Sequence, residues 1–227
     1  MKSRSAAFTT AMIAVCWLLF VLDFLSPKTQ GVGQLTFRLG LYPNDVLHGE
    51  WWRLFTYGFV HPAWYYILGN SIALFQAGDF VEYVYSSRRY VLIYLASLVG
   101  AGLAAYMTTV GTAVLTVGAS GAVMGVLGAM VVLAFKLPPL RNELWRVAVV
   151  PVLIILAIVV VEQIGFLVHG LSIAGLIGGL VGGVLAASLI NPVHGREIIR
   201  QIGPAWINPA DRPDAGHESA WDPPRRG

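Results

Sequence analysis

The sequence predicts an all-α integral membrane protein, and three observations support this prediction. Of the 227 residues, 56% are hydrophobic and only 12% are charged, whereas a soluble domain has about 25% charged residues. The apolar residues form six long runs, and several approach the roughly 20 residues that a membrane-spanning helix needs. The single cysteine, Cys16, excludes a disulfide framework and a cysteine-based metal site. This composition excludes an ordinary soluble enzyme, a disordered chain and a fibrous protein.

Each apolar run is predicted to form one membrane-spanning helix. The runs are 6–25, 62–78, 90–110, 113–135, 147–161 and 171–190. The first run follows Lys2 and Arg4, but it is too long for the core of a signal peptide and has no small-residue cleavage site, so we interpret it as a retained span. The second and fifth runs are short, and their helices are expected to extend by a few residues.

The distribution of basic residues predicts the orientation of these spans. With the N-terminus inside, twelve of the 15 lysines and arginines lie on the inner side of the membrane. The outer side holds only Lys28, Arg38 and Arg53. Cytoplasmic loops are enriched in lysine and arginine, so six spans would place both termini in the cytoplasm.

The first outer loop, residues 26–61, is predicted to be structured because loops of this length usually have structure or a function. It contains Glu50, Trp51, Trp52 and Arg53 in succession. Tryptophan is typical of the membrane–water interface. We expect Glu50, Trp52 and Arg53 to anchor the loop, with Arg53 donating to backbone carbonyls or pairing with Glu50.

Small residues recur at every fourth position in two of the runs. The fourth run contains Gly121 and Gly125, and the sixth contains Gly175, Gly179 and Gly183. In lipid, such stripes allow helix backbones to approach closely. The pattern predicts that the fourth and sixth spans pack against each other.

Several polar residues fall at the outer ends of apolar runs, where polar groups are costly and are candidates for function. They are His61, Asn70, Ser120, His169 and Ser172. Ser120 lies in a Gly-Ala-Ser-Gly sequence. A lone serine in a span is most often a packing residue that bonds to its own helix. A serine between glycines at a helix start can instead be a nucleophile surrounded by N–H donors.

In their order and spacing, these motifs resemble those of the bacterial rhomboid family of intramembrane serine proteases. Similar motifs are Gly-Glu-Trp-Trp-Arg-Leu-Phe-Thr at 49–56, His61 followed nine residues later by Asn70, Gly-Ala-Ser-Gly at 118–121, and Ile-Ala-Gly-Leu-Ile-Gly-Gly at 173–179. The resemblance implies a six-transmembrane-helix, rhomboid-like bundle over residues 1–191, with a long structured first outer loop. Residues 192–227 would form a cytoplasmic, mostly disordered tail, and the protein would lie in the bacterial plasma membrane.

The resemblance also implies roles for individual residues. Ser120 would attack the scissile carbonyl of a transmembrane segment, and His61, Asn70 and the Ser120 N–H would stabilise the oxyanion. A histidine on the sixth span would be the general base. No metal or organic cofactor is implied, and the five histidines are too scattered for a metal site. The expected partners are lipids and the transmembrane segments of single-pass or other membrane proteins, not nucleic acid.

The sequence departs from the family pattern at the base. Leu176 stands where the family has histidine, and an alternative register places Ser172 there, which also supplies no base. Tyr66 replaces a second histidine of the second span, and Met124 replaces the aromatic residue that supports the base. We expect Leu176 to pack on Met124 and Ser120. A serine without a base is a weak nucleophile, and loss of the base lowers turnover by a factor on the order of 10⁴ to 10⁶.

Two functions therefore follow from the sequence. The first is a pseudoprotease that binds transmembrane segments without cutting them. The second is an active intramembrane serine endopeptidase in which Ser120 uses an unconventional base such as His169, which lies about two turns, or roughly 10 Å, before Leu176. A small-solute transporter fits less well because the spans contain no charged pathway and no inverted repeat. The oligomeric state is left open.

Overall fold

The computed structural model describes residues 6–164, 172–195 and 197, and the described chain is mostly helical. This agrees with the predicted all-α class. The first helix, α1 (Ala7–Leu25), coincides with the first apolar run. It is followed by a folded outer segment before the next long helix begins.

The outer segment, residues 26–61, contains a short hairpin and three short helices. These elements are β1 (Lys28–Thr29), β2 (Val32–Gly33), α2 (Gln34–Leu39), α3 (Pro43–Leu47), α4 (Arg53–Thr56) and a 3-10 turn at Tyr57–Phe59. The strands are antiparallel, and Lys28 is opposite Gly33. The turn residues Gln30 and Gly31 both have positive φ, at 50° and 84°, which is typical of a two-residue hairpin turn.

The second apolar run forms a helix that begins later and ends later than predicted. It consists of α5 (Trp64–Ala73), a π-helical turn (Leu74–Gly78) and α6 (Asp79–Tyr85) without interruption. The predicted range was 62–78, but Pro62 lies outside the helix. The C-terminal extension follows from packing, because Val81 and Val84 are fully buried in the core. Ser86, at φ 69°, then reverses the chain.

The fourth helix also differs from its predicted range. After α7 (Ser87–Thr109), α8 spans Ser120–Lys136 instead of starting at residue 113. Residues 113–119 are not helical, since Thr116 and Leu41 pair as an isolated antiparallel bridge with N–H to carbonyl distances of 3.0 Å in both directions. Hydropathy does not distinguish this apolar, non-helical segment from the first turns of a helix.

Beyond α8, the long helices of the described residues are α9 (Arg141–Ile164), preceded by a 3-10 turn at Pro138–Leu140, and α10 (Ile173–Leu189). The range predicted for α9, 147–161, was too short at both ends. Among the residues described, α1 and α7 are long and apolar enough to cross a membrane by length and composition, with mean hydropathies of 2.1 and 1.8. The shorter helices α8 and α10 are also apolar.

The core surrounds α8, which packs against α7 and α10. The glycines of α8 and α10 lie at their contact. A Cβ atom on Gly179 would overlap the Gly121 carbonyl, and one on Gly183 would overlap the Gly125 carbonyl. A Cβ on Gly121 would lie 3.3 Å from the Gly175 carbonyl oxygen. Glycine is therefore required sterically for these two helices to approach so closely.

Polar side chains close the end of the bundle away from Ser120. The Glu82 carboxylate accepts hydrogen bonds from Phe8 N at 3.0 Å, Thr9 N at 2.8 Å and Ser87 Oγ at 2.6 Å. Lys136 Nζ donates to three carbonyls at the end of α10, all within 2.9 Å. Of the predicted tail, 192–227, almost all lies outside the described residues.

Candidate active site

Ser120 is held at the start of α8 by the non-helical segment that precedes it. Gly118 adopts φ +103°, a conformation that favours glycine, and its N–H donates to the Tyr57 carbonyl at 2.9 Å. Together with the Leu41–Thr116 bridge, this bond fixes the segment against the outer segment. Ser120 thus lies at a helix N-terminus, where backbone N–H groups have no partner within the helix, and its side chain is 6% exposed.

His61 and Asn70 both lie beside the segment that leads to Ser120. His61 Nε2 accepts a long hydrogen bond from Ala119 N at 3.4 Å. A Cβ on Gly118 would lie 3.8 Å from His61 Cδ2 and 3.9 Å from Asn70 Nδ2. The two side chains are 2% and 4% exposed. The structure therefore brings together the three residues that the resemblance assigns to the nucleophile and the oxyanion.

A small cavity adjoins Ser120. Its volume is about 10 Å³, which is about the room for one water molecule and far too little for a peptide. The lining residues come from the outer segment, α7, the segment 113–119, α8 and the capped start of α10. They are Tyr57, Ala101, Thr116, Val117, Gly118, Ser120, Gly121, Ser172, Gly175 and Leu176. The site is therefore closed, and a substrate would require helices or the outer segment to move.

Both positions considered for the base lie on this cavity, and neither carries an imidazole. Leu176 is 9% exposed. Ser172 caps the N-terminus of α10, where its Oγ accepts from Gly175 N at 3.0 Å. Among the described residues, His61 is the one histidine next to the Ser120 segment, and it does not line this cavity. His169 lies outside the described residues.

The other two departures from the family pattern lie on α5 and α8. Tyr66 is buried on α5, with its ring centroid 4.8 Å from that of Tyr65. Met124, one turn after Ser120 on α8, is half-buried against the core. A phenol therefore stands where the resemblance places a histidine, and a thioether stands where it places the aromatic support.

Arg53 organises the outer segment around its guanidinium group. Although only 5% exposed, it donates to the Phe37 carbonyl at 3.0 Å and the Gly40 carbonyl at 2.6 Å. It also pairs with Glu50 at 2.6 Å and Asp45 at 3.1 Å. Both kinds of contact expected for this side chain are therefore present. Trp52 is mostly exposed, and its role as an anchor at the interface stays a prediction.

Sequence reasoning missed a second anchor, Asp23. This buried carboxylate at the end of α1 accepts from Leu35 N at 2.7 Å, Thr36 N at 3.0 Å and Thr36 Oγ1 at 2.6 Å. It thereby caps the start of α2 and joins the outer segment to α1. The available signal was an aspartate near the end of an otherwise apolar run, since such a carboxylate needs partners.

The family model described as "Rhomboid domain" matches residues 48–192. The chain belongs to the rhomboid family, as the motifs predicted, and is therefore an integral membrane protein.

Two curated relatives come from Bacillus subtilis (strain 168). "Rhomboid protease GluP" is 33% identical over 190 residues, which cover 83% of this chain and 36% of that protein. "Putative rhomboid protease YdcA" is 32% identical over 137 residues, which cover 60% of this chain and 64% of that protein. The chain thus spans about a third of the first and just under two thirds of the second. A plant relative, "RHOMBOID-like protein 5" of Arabidopsis thaliana, is 33% identical over 104 residues, 46% of this chain and 32% of that protein.

Proposed function

We propose that this protein binds transmembrane segments of other membrane proteins at the Ser120 site and that its serine protease activity is lost or weak. One observation carries the proposal. The two candidate base positions on the Ser120 cavity are occupied by Leu176 and Ser172. Neither side chain can take the proton that the Ser120 hydroxyl must lose when it attacks a carbonyl. The hydroxyl therefore stays protonated near neutral pH and is a poor nucleophile.

The second candidate function is an active intramembrane serine endopeptidase. It is favoured by the retained groups around Ser120, because the Asn70 amide and the N–H groups at the start of α8 can stabilise an oxyanion. The names of the two bacterial relatives, which are called proteases, point the same way. In this alternative His169 would supply the base, provided its imidazole comes within hydrogen-bonding distance of Ser120 Oγ.

We also propose the orientation of the protein. Six spans with both termini in the cytoplasm place the outer segment and Ser120 on the outer side of the plasma membrane. The support is the excess of basic residues in the segments that would lie inside. The positions of Trp51 and Trp52, both exposed on the outer segment, suit the level of the lipid headgroups.

Labelling with a fluorophosphonate probe distinguishes the two functions. Purified full-length protein and the matched Ser120→Ala variant would be treated with the probe and, separately, with a rhomboid-type transmembrane substrate. If the proposal is correct, the wild type shows little or no labelling and cleavage above those of Ser120→Ala, and both proteins co-purify equally with a single-pass membrane protein that binds the wild type. Robust cleavage by the wild type that Ser120→Ala abolishes would contradict the proposal. If His169→Ala also abolished cleavage, the alternative base would be identified.

A further inference from the structure

A second small cavity lies between α1 and α5, behind His61 and Asn70. It shares no lining residue with the Ser120 cavity, and its volume is also about 10 Å³. Its polar lining comes from Cys16 on α1, from His61, and from Asn70 and Ser71 on α5. The remaining walls are apolar side chains and Ala119.

Three side-chain atoms on this lining are buried without a hydrogen-bond partner. They are Oδ1 and Nδ2 of Asn70 and Nδ1 of His61. The Phe59 carbonyl lies near the His61 imidazole, but His61 Nδ1 forms no hydrogen bond with it. Ser71 is already satisfied, since its Oγ donates to the Ile67 carbonyl at 2.6 Å and accepts from Trp17 Nε1 at 3.0 Å. Buried polar atoms that lack partners destabilise a fold.

We propose that this cavity binds one water molecule that bridges His61 and Asn70. A water needs about this volume and two to four polar partners. The donors and acceptors match. His61 Nε2 accepts from Ala119 N, so in the neutral ring the proton is on Nδ1. The water accepts from Nδ1 and donates to Asn70 Oδ1. This leaves the Nδ2 protons of Asn70 free to face Gly118 and the Ser120 segment.

The bound water is a positioning element for the site. It pairs with the His61 tautomer that the Ala119 N–H selects, and it fixes the orientation of the Asn70 amide, so that the amide N–H groups, and not its carbonyl, face the Ser120 segment. This role does not depend on the proposed function, because a binding site and a protease site would both keep the two side chains in place this way. The proposal is therefore tested by detecting the water and by measuring the stability of the protein, and not by measuring cleavage.

Filling the cavity with an apolar side chain changes the stability of the protein. The sign of that change tests the proposal. Cys16→Val places more apolar volume in the cavity, and Cys16→Ala is the matched control that enlarges it. If water is bound, Cys16→Val expels it, strands Asn70 and His61, and lowers the melting temperature of the purified protein by about 3–10 °C. Cys16→Ala keeps the water and has a smaller effect. In the Asn70→Leu background, which removes one of the two groups that the water bridges, the penalty of Cys16→Val becomes smaller.

The opposite pattern overturns the proposal. A dry cavity gains contacts when it is filled, so Cys16→Val would raise the melting temperature or leave it unchanged, and Cys16→Ala would lower it. A high-resolution crystal structure of the full chain provides a direct second measurement, which holds even if a variant does not fold. It is expected to show a density peak within hydrogen-bonding distance of Asn70 Oδ1 and His61 Nδ1. A cavity without such a peak refutes the bridge.

Discussion

Arg53→Ala is expected to destabilise the protein strongly although it alters no candidate catalytic group. The substitution leaves the carbonyls of Phe37 and Gly40 without their donor. A hydrogen bond to a charged group contributes about 1.5–3 kcal/mol. The partner carboxylates of Asp45 and Glu50 are 40% and 37% exposed, so water screens them and each ion pair adds about 1 kcal/mol or less.

These contributions sum to roughly 3–8 kcal/mol, dominated by the two carbonyls. In a protein of this size, 1 kcal/mol shifts the melting temperature by about 2–4 °C. Arg53→Ala should therefore lower the melting temperature by at least about 6 °C. Thermal unfolding of the detergent-solubilised protein measures this directly.

Arg38→Ala is the matched control, because Arg38 is on the same outer segment and its side chain is exposed. We expect this variant to stay within about 2 °C of the wild type, as most surface substitutions do. If Arg53→Ala and Arg38→Ala gave the same melting temperature, the guanidinium group would not be what stabilises the outer segment, and the reasoning from its four contacts would be refuted.

Three further predictions address the base, the helix contact and the topology. Leu176→His combined with Met124→Tyr should raise fluorophosphonate labelling of Ser120 at least tenfold, because the double variant places a supported imidazole on the cavity. Unchanged labelling would favour the alternative register, in which Ser172 has the position of the base. The Ser172→His variant tests that register. Gly179→Ala should abolish the yield of folded protein, because the added Cβ overlaps the Gly121 carbonyl. The control Val181→Ala, on the exposed face of the same helix, should leave the yield unchanged. A normal yield of Gly179→Ala would contradict the close contact between the two helices. A cysteine at Thr29 should react with an impermeant thiol reagent in intact cells and one at His217 should not, and the reverse result would overturn the proposed orientation.

The sequence predicted the helices well where hydropathy is the dominant signal. Runs 6–25 and 171–190 agree with α1 and α10 to within two residues at each end. The errors occurred where a tertiary contact decides the conformation. Residues 113–119 are apolar enough to be helical, but pairing with Leu41 holds Thr116 in an extended segment. The helix that begins at Trp64 continues to Tyr85 because Val81 and Val84 near its end are packed in the core, a tertiary contact that hydropathy does not predict.

The candidate site was predictable from the sequence as a set of residues but not as a geometry. The family motifs named Ser120, His61 and Asn70, and the structure places them around one short segment. No pattern in the sequence indicated that His61 and Ser120 would line separate cavities. For the missing base, the sequence favoured Leu176 over Ser172, because the register through Ser172 loses the match to Gly178 and Gly179. The structure places both residues on the same cavity.

The pairing of Leu41 with Thr116 has a consequence for how the protein is made. Ser120 is positioned by residues that lie about 60 and 80 places earlier in the chain and by α10, which begins more than 50 residues later. Contacts so distant in sequence form slowly and only after their partners have emerged from the ribosome. The hydroxyl therefore stays outside its final surroundings until the last long helix has been inserted. During synthesis, a chain that stops before α10 carries the complete serine motif but no enclosed site.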